Sequence, residues 1–310
     1  GGIWRWRMFR DPSANRPESG PRGHSSAASH GVPDSSFRLH SRVHGDTGPD
    51  LLLIHGFGTN SRTWDRWLPA LSEAHRVHLI DMKGFGASPK PRDGAYSPLD
   101  QAFLVKEWIL REGLENLTLV GHSVGGGVAL LSASMLTEED PGRIRSLVLI
   151  ASTAYPQPVS PYLRFLGRPR LGPIALRVLP KRLIVRVAMR RAYYFPDRVS
   201  DELVAAYALP LLRADARYAL SRSAAQLIPP EITSMSSRYG ELGKPCLLLW
   251  GSHDPVVPLW VGQKLAGTLP NARLEILPEC GHMPQEEEPE ATLGTVRDFL
   301  EGLPGGPGSS

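Results

Sequence analysis

Five short apolar runs alternate along this chain with segments of helical period, and that alternation leaves few architectures open. The runs fall at residues 51–55, 76–80, 117–120, 144–150 and 246–250. Each is apolar at nearly every position, the mark of a strand buried on both faces within a parallel sheet. Residues 37–44 and 273–277 alternate apolar with polar instead, which makes those strands half-buried and puts the second nearer an edge. Helical spacing occupies 64–74, 98–112, 124–135, 259–268 and 289–300. Strand and helix in regular succession predict an α/β fold: a doubly wound, mostly parallel sheet with right-handed crossovers.

The succession stops between Ser152 and Gly243. Helical patterns fill this stretch, no convincing strand interrupts them, and Pro156, Pro158, Pro161, Pro169, Pro173 and Pro180 punctuate it. An insertion between two strands of one sheet sits over the strands' C-terminal edge, where open α/β sheets bind ligands. The expected organisation is a core of residues 37–151 and 244–303 with a helical cap of 152–243. The chain's 31 glycines and 29 prolines are dense at both ends. Residues 1–36 and 304–310 lack any apolar period, so both read as disordered tails.

Composition excludes several functions. Two cysteines, Cys246 and Cys280, cannot build a disulfide framework or a multi-cysteine zinc site. No run approaches the roughly 18 apolar residues of a membrane span. The arginines near the N-terminus precede no apolar leader core, so a cytoplasmic location is expected rather than secretion. A net charge of +4 is too small an excess to indicate a nucleic-acid partner.

Gly121-His122-Ser123-Val124-Gly125 is a G-x-S-x-G pentapeptide between the run 117–120 and the helical segment 124–135. Strand before and helix after is the context of a nucleophile elbow: glycines permit the sharp turn, and the serine is lifted to a helix N-terminus. A serine hydroxyl needs a base, and the base an orienting partner. His282 follows the strand 273–277, and Asp254 follows the strand 246–250. All three residues fall at strand C-terminal ends, in the chain order serine, acid, histidine. Ala151-Ser152-Thr153 stand after the strand 144–150, which leaves Asp254 as the well-placed acid. His253 adjoins the acid and reads as structural. The loop His55-Gly56-Phe57-Gly58 can offer the N–H of Phe57 to a developing oxyanion, with the N–H of Val124 as the second donor.

The competing reading of these glycine loops is nucleotide binding. In Gly56-Phe57-Gly58-Thr59-Asn60-Ser61 a serine stands where the third glycine belongs, and no G-x-x-x-x-G-K-[ST] cradle is present. No cofactor and no metal are expected.

On these motifs, with Asp81-Met82-Lys83-Gly84-Phe85-Gly86-Ala87-Ser88 and Gly281-His282, the chain resembles a capped serine hydrolase of the α/β-hydrolase superfamily over about residues 37–303. The resemblance implies an acyl-enzyme on Ser123, His282 as base, Asp254 as its orienting acid, and a small-molecule carboxylic ester as substrate. Carbon–carbon bond hydrolysis of a vinylogous diketone, lactone or amide cleavage, acyl transfer, and a non-catalytic ligand receptor are the alternatives. Superfamily members that cleave epoxides or carbon–halogen bonds use an aspartate nucleophile, where this chain has Ser123. The resemblance assigns Asp81 and its glycines to a structural loop. Tyr193 and Tyr194 read as packing within the cap.

One feature is left over. Between Tyr155 and Ser200 the chain has Arg164, Arg168, Arg170, Arg177, Lys181, Arg182, Arg186, Arg190, Arg191 and Arg198 against one acid, Asp197. Arg182, Arg186 and Arg190 form one helical stripe. The plain expectation is a solvated face, and the functional one a weak contact with an anionic membrane surface or substrate. Glu286-Glu287-Glu288 reads as acidic enrichment at a helix start. Nothing in the sequence fixes an oligomeric state.

Overall fold

The computed structural model describes residues 37–304. The terminal tails expected at 1–36 and 304–310 lie outside them, apart from Pro304. Seven strands form one sheet: β1 (His40–His44), β2 (Asp50–Ile54), β3 (Arg76–Asp81), β4 (Leu117–His122), β5 (Ile144–Ile150), β6 (Cys246–Gly251) and β7 (Ala272–Leu277). Their order is β1-β3-β2-β4-β5-β6-β7. β1 runs antiparallel to β3, and every other pair is parallel. The fully apolar runs became the central strands, because helices cover both faces and each inward residue meets another apolar group. β7, which alternates, is the edge.

The core helices are α1 (Leu68–Ser72), α2 (Pro98–Arg111) and α3 (Val124–Glu139). The sequence pattern suggested one helix over 64–74. The chain instead makes a short 3₁₀ turn at Ser61–Trp64 and begins α1 only at Leu68. Pro69 is the reason: it has no N–H and is tolerated only in a helix's first turn. α2 starts at a capping box, with the Ser97 hydroxyl accepting from Asp100 N and the Asp100 carboxylate accepting from Ser97 N. The first strand begins at His40 rather than residue 37. Trp64, Trp67, Leu53, Leu79, Val120, Val148 and Leu249 belong to the buried cluster on one face of the sheet.

Between β5 and β6 the chain is helical, with α4 (Pro161–Leu166), α5 (Leu171–Val178), α6 (Lys181–Ala192), α7 (Asp201–Ala208), α8 (Ala214–Ala225) and α9 (Ile232–Ser236). After β6 come α10 (Leu259–Thr268), and after β7 α11 (Pro284–Glu287) and α12 (Pro289–Glu301). A cavity opens between the inserted helices and the C-terminal ends of the central strands. Ser123, Val124, Phe57 and His282 line it from below, and Leu163, Val185, Met189 and Leu220 from above.

Candidate active site

Ser123 joins β4 to α3 with φ +54° and ψ −122°, a conformation that L-residues rarely adopt. The glycines around it are dictated by space. A Cβ on Gly121 would lie 2.5 Å from the carbonyl oxygen of Gly125, and one on Gly125 would overlap the carbonyl oxygens of His55 and Ile54. Gly126 and Gly127 play the same part on the other side: a Cβ on either would meet Ser152 Oγ or Thr153 Oγ1 at 2.5 Å. The segment after β5 is therefore filled by small side chains packed on α3, which leaves no room there for an acid.

The three expected side chains converge. Ser123 Oγ lies 2.9 Å from His282 Nε2, and His282 Nδ1 lies 2.8 Å from Asp254 Oδ2. A carboxylate only accepts, so Nδ1 carries the proton and Nε2 presents a lone pair to the serine. The other carboxylate oxygen, Asp254 Oδ1, accepts from the N–H groups of Val256 and Val257 at 2.8 and 2.9 Å. Both oxygens of Asp254 are thus committed, and all three side chains are buried.

Phe57 and Val124 line the cavity beside Ser123. As the first residue of α3, Val124 has an N–H with no intrahelical acceptor. The N–H groups of Gly126 and Gly127 are already directed to Ser123 O. The loop carrying Phe57 is fixed by His55, whose Nδ1–H donates to Gly56 O at 2.8 Å while Nε2 accepts from Met82 N at 3.0 Å. Asp81 is structural in the same sense: its carboxylate accepts from Ser61 N and Ala87 N, each at 2.8 Å.

His253 bonds with Ser252 Oγ at 2.8 Å and stacks on Tyr194, with ring centroids 4.6 Å apart. It makes no contact with the serine. Neither Tyr193 nor Tyr194 belongs to the cavity lining, and Ser123, at the β4–α3 turn, does.

The acidic run corrects the sequence reading. Glu286 and Glu287 do stand in the first turn of α11. They face inward rather than into solvent, Glu287 buried and Glu286 half-buried, each among donors. Glu286 accepts from the hydroxyls of Thr63, Tyr193 and Tyr207, each at 2.5 Å. Glu287 accepts from the N–H groups of Gly281 (3.1 Å), Met283 (3.0 Å) and Tyr194 (2.7 Å). Gly281 and Met283 flank His282, so Glu287 clamps the loop that carries His282. Burial raises the pKa of both carboxyls above the ordinary glutamate value, only partly offset by these donors. Burial, together with Glu286, pushes the Tyr193 and Tyr207 phenols up and keeps them as donors.

His122 was also missed. Its Nε2–H donates to His282 O at 2.8 Å, and its ring centroid lies 4.9 Å from that of His282. Burial, then the nearby His282, holds its pKa well below the ordinary histidine value, so this ring stays neutral beside that of His282. The middle position of G-x-S-x-G offers no sequence signal for such a role.

A seven-stranded, mostly parallel sheet with a buried serine at the β4–α3 turn defines an α/β hydrolase. The model of the alpha/beta hydrolase family matches residues 51–295, and the chain belongs to that family. It is 30% identical over 278 residues to a 2-hydroxy-6-oxononadienedioate/2-hydroxy-6-oxononatrienedioate hydrolase of Cupriavidus pinatubonensis, covering 86% of this chain and 92% of that one. An alpha/beta hydrolase fold protein from Burkholderia ambifaria superposes with a TM-score of 0.75 at 28% identity, covering 86% of this chain and 96% of the other. A thermophilic esterase from Thermogutta terrifontis gives a TM-score of 0.70 at 25% identity, covering 86% and 93%.

Proposed function

We propose that this hydrolase cleaves neutral carboxylic esters with an apolar acyl or alcohol part, through a covalent acyl-enzyme on Ser123. The cavity supports this reading most. Among the described residues it is lined by aliphatic and aromatic side chains with a few neutral polar groups such as Gln157, Ser160 and Tyr162, and no lysine or arginine reaches it. A ligand bearing carboxylates would lose its hydration there with no cation in return, which costs several kcal/mol per charge.

In the proposed cycle His282 Nε2 takes the proton of Ser123 as Oγ forms a bond to the ester carbonyl carbon. The N–H groups of Phe57 and Val124 stabilise the oxyanion, an effect of about 10²–10³ in kcat per donor. His282 then gives the proton to the departing alcohol. Water, deprotonated by the same nitrogen, releases the acid and restores Ser123. Asp254 holds the imidazole in the productive tautomer and stabilises its charged form.

A second reading is favoured by the relative from Cupriavidus pinatubonensis, whose named substrates are dioates: hydrolysis of a carbon–carbon bond in a diketone acid. An acyl series of p-nitrophenyl esters run beside a ring-fission diketone acid separates the two. Ester turnover that rises with chain length, with little on the diketone, is expected. The reverse ranking would overturn the ester reading. Absence of both activities, with no fluorophosphonate label on Ser123, would point to a ligand receptor.

A further inference from the structure

Fourteen large apolar side chains are exposed among the described residues, and eight of them lie within residues 171–212. This is concentration, not the scatter expected of single surface apolar residues. Leu171, Ile174 and Val178, spaced i, i+3, i+7, make one stripe of α5 with exposures of 46, 58 and 73%. On α6, Leu183 and Val187 face out, while Ile184, Val185, Ala188 and Met189 line the cavity. Leu209 and Leu212, on the turn after α7, share a surface hollow with Pro180, Lys181 and Arg182. The start of α6 and the turn Leu209–Leu212 therefore adjoin, and α5 leads into α6 through the exposed Leu179 and Pro180.

Cations rim the same surface. Residues 155–196 contain nine arginines and lysines and no acid. Arg186 and Arg190 reach outside the segment to pair with Asp201 and Asp197. Arg170, Arg177 and Arg182 have no carboxylate within ion-pair range among the described residues. A second copy of this chain is a poor occupant, because a two-fold contact sets the same patch against itself and so brings like charges together. An apolar stripe bordered by arginine and lysine has instead the composition of an interfacial surface. Its apolar side chains enter the boundary between headgroups and acyl chains, and its cations meet anionic headgroups.

We infer that the outer face of α5, the first turns of α6 and the turn Leu209–Leu212 form a docking surface for an anionic lipid bilayer. Among the described residues no helix is long and apolar enough to cross a membrane, so the contact is peripheral. α6 then stands between the bilayer and the cavity, with one side on each.

Vesicle co-sedimentation of the full chain tests this without reference to catalysis. Phosphatidylcholine vesicles are compared with vesicles containing about one-third phosphatidylglycerol. The chain should partition at least tenfold better onto the anionic vesicles at low salt, and the preference should collapse near 1 M salt, where screening acts within about 3 Å. Ile174→Ser with Val178→Ser should lose at least tenfold on anionic vesicles. Arg177→Gln with Arg182→Gln should lose the anionic preference while keeping weak binding to both. Circular dichroism and thermal midpoints establish that each variant is folded. Equal partition onto the two vesicle types, or folded variants that bind like the parent, would overturn the proposal. So would a dimer in gel filtration that Ile174→Ser with Val178→Ser dissolves, which would give the surface to a second copy.

Discussion

The backbone N–H of His282 donates to the carbonyl oxygen of Ala192, 2.7 Å away, so the histidine beside Ser123 is hydrogen-bonded to the last turn of α6. Two residues on, Tyr194 N donates to Glu287, the carboxylate that also holds Gly281 and Met283. The end of α6, the segment just after it and the loop of His282 thus share one set of hydrogen bonds. A Cβ on Gly281 would lie 2.7 Å from Tyr194 N, so the segments also touch sterically.

We predict that Glu287 acts as a positioning residue for His282. Glu287→Gln puts an amide group where three N–H donors converge, and at least one donor loses its acceptor at about 1–3 kcal/mol. A displacement of His282 by about 1 Å costs on the order of 10² in rate. We expect kcat per titrated active site to fall about 10–100-fold with KM little changed. A merely structural role would lower stability and the titratable fraction and leave kcat per site intact.

Asp254→Asn should be more severe than its geometry-conserving form suggests. Asp254 Oδ1 accepts from two backbone N–H groups, so the asparagine oxygen must take that place. Its NH₂ then faces His282 Nδ1 and demands a lone pair there, which moves the ring proton to Nε2, opposite Ser123. Ester turnover should drop about 10³–10⁴-fold, measured with parallel labelling of Ser123. A loss under tenfold would mean that another acid supports the histidine.

Ser123→Ala should fold and lose at least about 10³ in kcat, since only binding and the oxyanion donors remain. Ser123→Gly should be equally inactive but more stable than Ser123→Ala by about 1 kcal/mol. At φ +54° glycine relieves strain of about 1–3 kcal/mol, against an entropic cost of about 0.4–1 kcal/mol in the unfolded chain. Thermal unfolding of the two variants decides it, and a less stable glycine variant would mean that the turn is not strained.

Much of this site was legible because its parts are local. The elbow is one pentapeptide between a strand and a helix, and Asp254 and His282 each follow a strand whose apolar run is plain. The inserted helices stood out by breaking the alternation. Glu286 was misread because its partners are distant: Thr63 lies 223 residues away and Tyr193 93. An acidic triplet written alone looks solvated, and only tertiary packing brings three hydroxyls onto one of its members. Helix α1 was overextended because an apolar period survives across Pro69 even where the backbone bonds do not. The arginine stripe was visible in sequence, but the exposed leucines beside it were not, since helical period does not say which apolar face lacks a cover.

Glu286 gives a pH dependence of known sign. Its folded-state pKa is raised above the ordinary 4.5, chiefly by burial. The folded chain therefore holds this proton more tightly than the unfolded one. The contribution is complete below about 4.5 and is lost as pH rises through the folded pKa. His55 and His122 act oppositely: burial lowers their pKa from 6.5, so their contribution is present above 6.5 and lost as pH falls through the folded values. Both histidines remain in Glu286→Gln, so their effects cancel when that variant is compared with the parent. The stability of the parent minus that of the variant should fall steadily as pH is raised from about 4.5 towards neutrality. Urea unfolding of both chains across that range measures it. A difference that stays level with pH would mean that the Thr63, Tyr193 and Tyr207 hydroxyls fully compensate the buried charge, and a difference that grows would reverse the assigned direction of the shift.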